Sequence, residues 1–178
     1  MRSALLVSFL LGVSALPAQD KFGAPVRTNL TAMRGNPDAF HNVKVQFVVQ
    51  FASLGRISNP FFTQFTPTDY TNFYGWSDNQ KLWQEKDYND VFGMLFLSKS
   101  NSQLESLYTM DLYSRMRCTA VVRNTFQGIP WIEVLEFEVL GKKLDTAVLT
   151  HLHRGEGLMK QRLWQRAISE LSLAPGDG

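Results

Sequence analysis

The chain holds 178 residues, of which 44% are hydrophobic and 19% charged, with a formal net charge of +2. That length suits one ordinary domain with an appendage, and the apolar content supports a packed core, which excludes bulk disorder. The basic residues are scattered in no long run, unlike those of a dedicated nucleic-acid binder; a lone cysteine, Cys118, rules out an internal disulfide and cysteine-based zinc or iron–sulfur sites in their usual forms.

The first residues, MRSALLVSFLLGVSALPAQD, place one basic residue, an apolar run from Ala4 to Val13 and then small residues in the order of a secretory signal peptide. Cleavage after Ala15 or Ala18 fits the small-residue pattern. The apolar run is short for a permanent membrane span, so membrane contact is expected only through this leader; an uncleaved helix is the alternative. Loss of Arg2 leaves 17 basic against 16 acidic residues. The predicted location is outside the cytoplasm, periplasmic or extracellular. The domain reading is a leader over 1–18, a flexible lead-in over 19–35 with a short helix near Leu30–Arg34, a barrel over 36–141 and a helical hairpin and tail over 142–178.

In chain order, GNPDAFHN predicts a turn and a short helical turn, with Pro37 at a first helical position. In VKVQFVVQFASLG, residues Val43, Val45, Phe47, Val49 and Phe51 alternate with mostly polar neighbours, which predicts a strand with its odd positions inward. Residues 56–83 crowd eight aromatic side chains into a turn-rich stretch. A second strand is expected near Phe61–Thr66, then a turn at PTDY and a helical turn within DNQKLWQEKDYND. VFGMLFLSK is apolar on both faces and reads as a central strand. Ser102 and Glu105 have capping-box spacing for a short helix over 102–109.

The segment YSRMRCTAVVRNTF places Met116, Cys118, Ala120 and Val122 on one face and Arg115, Arg117, Thr119 and Arg123 on the other. IPWIEVLEFEVLG also alternates, but its apolar phase slips near Val134–Leu135, which predicts a bulge. Between them, NTFQG fits a hairpin loop with Gly128 in a left-handed conformation. Pro130 lacks a donor, so it belongs at the strand's start or on an edge.

Five coiled strands with a helix between the third and fourth resemble the OB-fold, a small Greek-key barrel. The stretches NPDAFHNVKVQF and VVRNTFQGIPWIEV are also similar to secreted bacterial OB-type domains, in which a helical segment precedes the first strand and a G-x-P-W-I-E-V-like strand closes the barrel. The resemblance covers residues 36–140 and implies a mainly β fold with C-terminal helices: a five-stranded OB-like Greek-key barrel plus an α-helical hairpin. The aromatic insertion departs from a minimal OB domain.

After Gly141 the period becomes helical. Gly155, Leu158, Trp164, Ala167, Leu171 and Ala174 resemble one tetratricopeptide repeat in spacing, although His151 and Arg154 stand at positions usually apolar. Gly155 and Ala167 would let two helices approach closely, with Leu158, Trp164 and Leu171 in the seam. A lone repeat cannot bury its own face. It is expected to dock on the barrel, pair with another chain or begin an array; a generic amphipathic hairpin is the plainer alternative.

Little in the chain carries chemistry. His151 and His153 diverge if helical, and His41 is remote from both, so no shared metal is expected. Glu133, Glu136 and Glu138 read as a solvated strand face. No nucleophile elbow, P-loop or dinucleotide fingerprint occurs, and NLT at 29–31 matters only where N-glycosylation operates. The candidate binding residues are Phe73, Tyr74, Trp76 and Trp83, with NFYGW expected to form a turn that presents rings; these rings could instead make a small second core. Arg115, Arg117 and Arg123 form a candidate basic stripe, or a solvated exterior. The function expected is an exported, non-catalytic binding or scaffolding module, without cofactor, that engages a protein or other envelope component. The alternative is oligonucleotide or saccharide binding by the aromatic loop 61–83 and the barrel face; a hydrolase or metal enzyme is the third.

Overall fold

A computed structural model of the chain describes residues 23–174. The expected leader and its expected cleavage site lie outside the described residues. The described strands are β1 (Val26–Arg27), β2 (Lys44–Gly55), β3 (Tyr70–Ser77), β4 (Phe92–Ser98), β5 (Arg115–Phe126) and β6 (Ile129–Leu140); the α-helices are α1 (Leu30–Gly35), α2 (Glu85–Asn89), α3 (Leu104–Tyr108), α4 (Thr146–Lys160) and α5 (Trp164–Leu171). A 3₁₀ turn over Pro37–Phe40 leads into β2, with the proline at its start.

The sheet runs β1-β2-β3-β4-β6-β5 and closes where β5 returns to β2. That closing seam is long, from Lys44 against Val121 to Gln50 against Arg115. All barrel pairs are antiparallel except β4 with β6, which α3 and β5 carry into parallel alignment at Leu95 and Ile132. This is the Greek-key order of an OB-like barrel. β2 is long enough to meet β5 on one side while β1 and then β3 occupy the other.

Alternation explains the interior. Val45, Phe47, Val49 and Phe51 point inward from β2 and meet Phe73, Leu95, Leu97, Met116, Cys118, Ile132 and Val134 in one buried cluster. Fully burying each large apolar side chain contributes about 1.5–3 kcal/mol against ordering entropy. α1, capped by the Asn29 side chain on the Ala32 N–H at 2.8 Å, adds Leu30 and Met33 to the cluster.

The β5–β6 hairpin turns on two residues, Gln127 and Gly128, with φ of +53° and +72°. Two successive left-handed residues match the twist of the flanking strands, so the loop is shorter than NTFQG: Asn124 to Phe126 already belong to β5. Leu135 is skipped between the Ala120–Val134 and Thr119–Glu136 pairs, which is the bulge that the phase slip predicts. Pro130 sits at the strand's start, before the pairing with β4 begins.

Local expectations for the second strand and for α3 are overturned. Residues 61–66 are turn and loop, and the second barrel strand is Tyr70–Ser77. Phe61, Phe62 and Phe65 have no period of two, whereas Thr71, Phe73 and Gly75 take the inward places of β3. NFYGW is therefore strand interior and not a turn; Gly75 stands beside a register shift, where an added Cβ would lie 3.1 Å from the Gln50 carbonyl. The second correction concerns α3. No capping box forms, since its cap is Gln103, whose side chain does not bond the helix. The Gln103 amide instead donates to the Phe137 carbonyl at 2.6 Å and accepts from its N–H at 2.9 Å, while Asn101 donates to the Leu135 carbonyl at 2.7 Å. These amides serve β6 where β4 no longer reaches it.

α4 and α5 form an antiparallel pair. Asp145 caps α4 through the Val148 N–H at 2.8 Å. Gly155 is buried against Leu171, whose Cδ2 an added Cβ would strike. Ala167 is buried, as its small size predicts. Trp164, expected in the seam, is 58% exposed on the outer side of α5. The hairpin docks on its own barrel: Leu149 packs into a second cluster with Trp76, Leu82 and Tyr113, and His153 Nδ1 donates to the Trp83 carbonyl at 2.9 Å.

Candidate functional site

The β2–β3 connection decides what the barrel face can offer. Asn72 is buried in β3 and holds the connection's start: its Oδ1 accepts from the Ile57 N–H at 3.0 Å while its amide donates to the Gly93 and Leu95 carbonyls. The connection then folds back over the outer faces of β4 and β6. Phe65 is wholly buried there, stacked on Phe96 with centroids 4.1 Å apart, and Phe96 stacks on Trp131 at 5.2 Å and 8°. Tyr70 meets Phe65 edge-on at 4.9 Å. Phe65 thus covers the outer rings of β4 and β6 from within the chain. The tip of the same connection is open. Phe61 is 89% exposed, and Phe62, also exposed, stacks on Phe126 of the β5–β6 hairpin at 5.1 Å.

The predicted binding residues separate under tertiary packing. Phe73 lies in the main core with no exposed surface. Tyr74 is half-buried, its ring lying over Gly93. Trp76 is buried on the other side of the barrel, where its indole N–H donates to the Tyr88 carbonyl at 2.8 Å and its ring stacks on Tyr113 at 5.7 Å. Trp83 is half-buried beside it and packs against the same cluster. Of the rings in this stretch, Trp76 and Trp83 join one minor cluster, Phe65 and Tyr70 another, and Phe73 the main core.

The arginine stripe is matched by carboxylates. Arg115 makes a bidentate pair with Asp78 at 2.6 and 2.8 Å, and Lys143 reaches the same carboxylate at 3.2 Å. Burial pushes the Asp78 carboxyl up, but the hydrogen bonds and charges of Arg115 and Lys143 outweigh it and hold the group below its usual range. Arg117 pairs with Glu138 across the β5–β6 ladder. Arg123 donates to Glu133 at 2.5 Å, and Glu133 also accepts from Tyr70 at 3.3 Å. Burial, then the Glu133 charge and its hydrogen bond, raise the Tyr70 phenol. Two of the three strand glutamates are therefore taken up by arginine.

Cys118 is buried in the barrel core, and that burial pushes its thiol up to about 12, so it stays protonated. The three histidines do not converge: His151 meets Glu170 at 3.0 Å, His153 meets Trp83, and His41 lies next to Asn42. Among the described residues no group of three or more His, Cys, Asp or Glu could hold a metal ion. Among the same residues no helix is long and apolar enough to cross a membrane.

The surface carries shallow grooves. One of about 600 Å³ runs over Gln46, Gln103, Arg117, Thr119 and Glu138. Another of about 570 Å³ lies between the β2–β3 connection and α3, beside Arg56, Tyr70, Lys99 and Tyr108. A smaller aromatic cleft separates α4 from the barrel. Tyr113 borders it, at a backbone φ of +64° that is rare for a bulky residue; its N–H donates to the Phe51 carbonyl at 2.9 Å, while the Phe51 N–H donates to the Ser114 carbonyl at 2.8 Å. Sequence reasoning missed Phe65, Phe96, Trp131, Tyr88 and Tyr113 as partners, since they come from separate strands and loops. The one local signal was the excess of rings in 61–76.

The strand order defines the class: a closed, five-stranded OB-like barrel with one added strand and C-terminal helices. No family model matches the chain, and no curated protein does. Among solved structures it is similar to one assigned as an aspartyl-tRNA synthetase from Leishmania major Friedlin, with 6% identity, a TM-score of 0.46 and coverage of 76% of this chain and 24% of that one. The chain thus spans about a quarter of that structure's length, and the class rests on strand order alone.

Proposed function

We propose that this chain is an exported, non-catalytic binding module whose C-terminal hairpin engages a helix of a partner protein. The observation that carries the reading is the outer face of α5, where Trp164 and Ile168 are 58% and 62% exposed one turn apart. Residues at that spacing form a ridge for another helix, and a single tetratricopeptide-like pair leaves such a ridge without a neighbour. Trp is also the side chain most often found as an energetic anchor in interfaces. The order of charge, apolar run and small residues in the first 18 residues supports export.

The test is capture by the full mature chain, compared with a Trp164→Ser/Ile168→Ser variant, followed by hydrogen exchange on the complex. The expected result is a partner lost on substitution, with new protection confined to α5. A complex unaffected by the substitutions would overturn the reading. A homodimer dispersed by them would identify the occupant as a second copy instead. N-terminal sequencing of the mature protein checks the export half.

A second reading, oligonucleotide or saccharide binding, draws on the open Phe61 ring and the Phe62–Phe126 stack, where the connections of an OB-like barrel converge. It predicts salt-sensitive binding if the ligand is nucleic acid, and loss of binding on joint Phe61→Ala and Phe62→Ala substitution.

A further inference from the structure

Barrel and hairpin meet along an uneven joint. Leu149 fills part of it, packed on Trp76, Leu82 and Tyr113. The rest of the α4 face toward the barrel is small or polar: Thr146, Thr150 and His153 follow one another at helical spacing. None of these carries enough apolar volume to reach the rings opposite. A cleft of about 280 Å³ remains, bordered by Tyr88, Tyr113 and Trp83. Trp76 backs these rings, with centroids 5.2 Å from Tyr88 and 5.7 Å from Tyr113. The two tyrosine hydroxyls lie 3.4 Å apart.

Charge stands at the rim. Arg154 borders the cleft from α4, and Glu85 borders it from α2. The carboxylate paired with Arg154 is Glu170 at 3.7 Å, and the same oxygen of Glu170 is 3.0 Å from His151. A guanidinium has five N–H donors in a planar fork, so a contact at that distance leaves Arg154 with donors to offer a second carboxylate. A ring-sized apolar space with a guanidinium at its mouth has a specific chemistry. It takes an aromatic group one or two bonds from a carboxylate, with ring–ring stacking inside and a charge-assisted hydrogen bond at the rim.

We infer that the cleft between α4 and the barrel binds an aromatic ring that carries a neighbouring carboxylate, the chemistry shared by a free aromatic amino acid and the C-terminal aromatic residue of a polypeptide. Tyr88, Tyr113 and Trp83 hold the ring, and Arg154 holds the carboxylate. Glu85 favours an ammonium beside it, which a free amino acid has and a chain terminus lacks. This site is separate from the α5 ridge, so either can fail without the other.

The experiment titrates the full mature chain with L-phenylalanine, N-acetyl-L-phenylalanine and N-acetyl-L-phenylalanine amide, read by tryptophan fluorescence and by NMR shifts. Both acids are expected to bind about five-fold or more tightly than the amide, a modest factor because the Arg154 side chain is mostly exposed. Arg154→Gln should erase that difference while leaving the fold intact. Thr150→Trp should fill the cleft and weaken the acids by about ten-fold or more, with unchanged circular dichroism. Tighter binding of phenylalanine than of its N-acetyl form assigns the site to a free amino acid; equal binding assigns it to a chain terminus. The inference is overturned if no probe binds, if acid and amide bind alike, or if a folded Thr150→Trp protein binds as the wild type does.

Discussion

The barrel and the hairpin solve the burial problem differently. The barrel closes on itself, so each inward side chain of β2, β4 and β5 meets another from across the interior, and the only cysteine disappears among them. Among the described residues the hairpin has two helices and no third helical layer. One side packs through Gly155 against Leu171 and through Leu149 against the barrel, while the other leaves Trp164 and Ile168 in solvent. A closed sheet finishes its own surface; a helix pair finishes only half. Exposed apolar surface therefore remains on α5, where closure is incomplete.

Phe47→Ala tests the closed half most severely. It removes a ring that is 2% exposed at the centre of the cluster, and denaturant unfolding should show a loss of about 3–5 kcal/mol. A loss under about 1 kcal/mol would mean that the barrel is not the stabilising core. Gly155→Val comes next, because a branched side chain must displace Leu171. A loss of about 1–3 kcal/mol is expected from overpacking, with hydrogen exchange rising in α4 and α5 and not in β2. Equal effects on both regions would show that barrel and hairpin unfold as one unit.

Asp78→Asn probes the seam between them, since Asp78 holds Arg115 of the barrel and Lys143 of the approach to α4. Its carboxyl is depressed in the folded state. Its stabilisation is therefore full above the ordinary range near 3.8 and lost as pH falls through the lower folded value. The variant should lose about 1 kcal/mol at neutral pH and show a flatter decline below pH 4, measured by thermal unfolding across that window. An unchanged acid limb would remove the ion pair from the account. Smallest of all, Trp164→Ser/Ile168→Ser should alter stability by within about 0.5 kcal/mol, because neither ring nor branch is buried in the monomer. A large loss would mean that the outer face of α5 already has a partner within the chain.

Much of this was legible along the chain, and unevenly. β2 and β5 announce themselves by alternation, and the phase slip in IPWIEVLEF marks the bulge at Leu135 before any partner is known. The β5–β6 turn follows from Gly128. β3 is hard to place from its letters because two of its outward residues, Asn72 and Trp76, are buried like the inward Phe73, so its polar and apolar residues do not alternate cleanly. The Ser102–Glu105 spacing pointed to a cap, but Gln103 had a stronger use across the sheet, bonding Phe137 twice. For the candidate residues, composition located the rings but not their destinations. Phe65 went to Phe96 and Trp131, while Trp76 went to Tyr88 and Tyr113 on another side of the barrel.

Local pattern alone determined the mainly β character, most strands, the tight hairpin and the helical tail, because alternation, glycine in left-handed turns and helical spacing act within a few residues of themselves. Tertiary structure decided which rings are core and which are surface, that each arginine of the stripe meets a carboxylate, and that a cleft remains beside α4. Those outcomes depend on residues brought together from distant parts of the chain, and the distance between such groups is a property of the closed barrel and not of any segment that builds it.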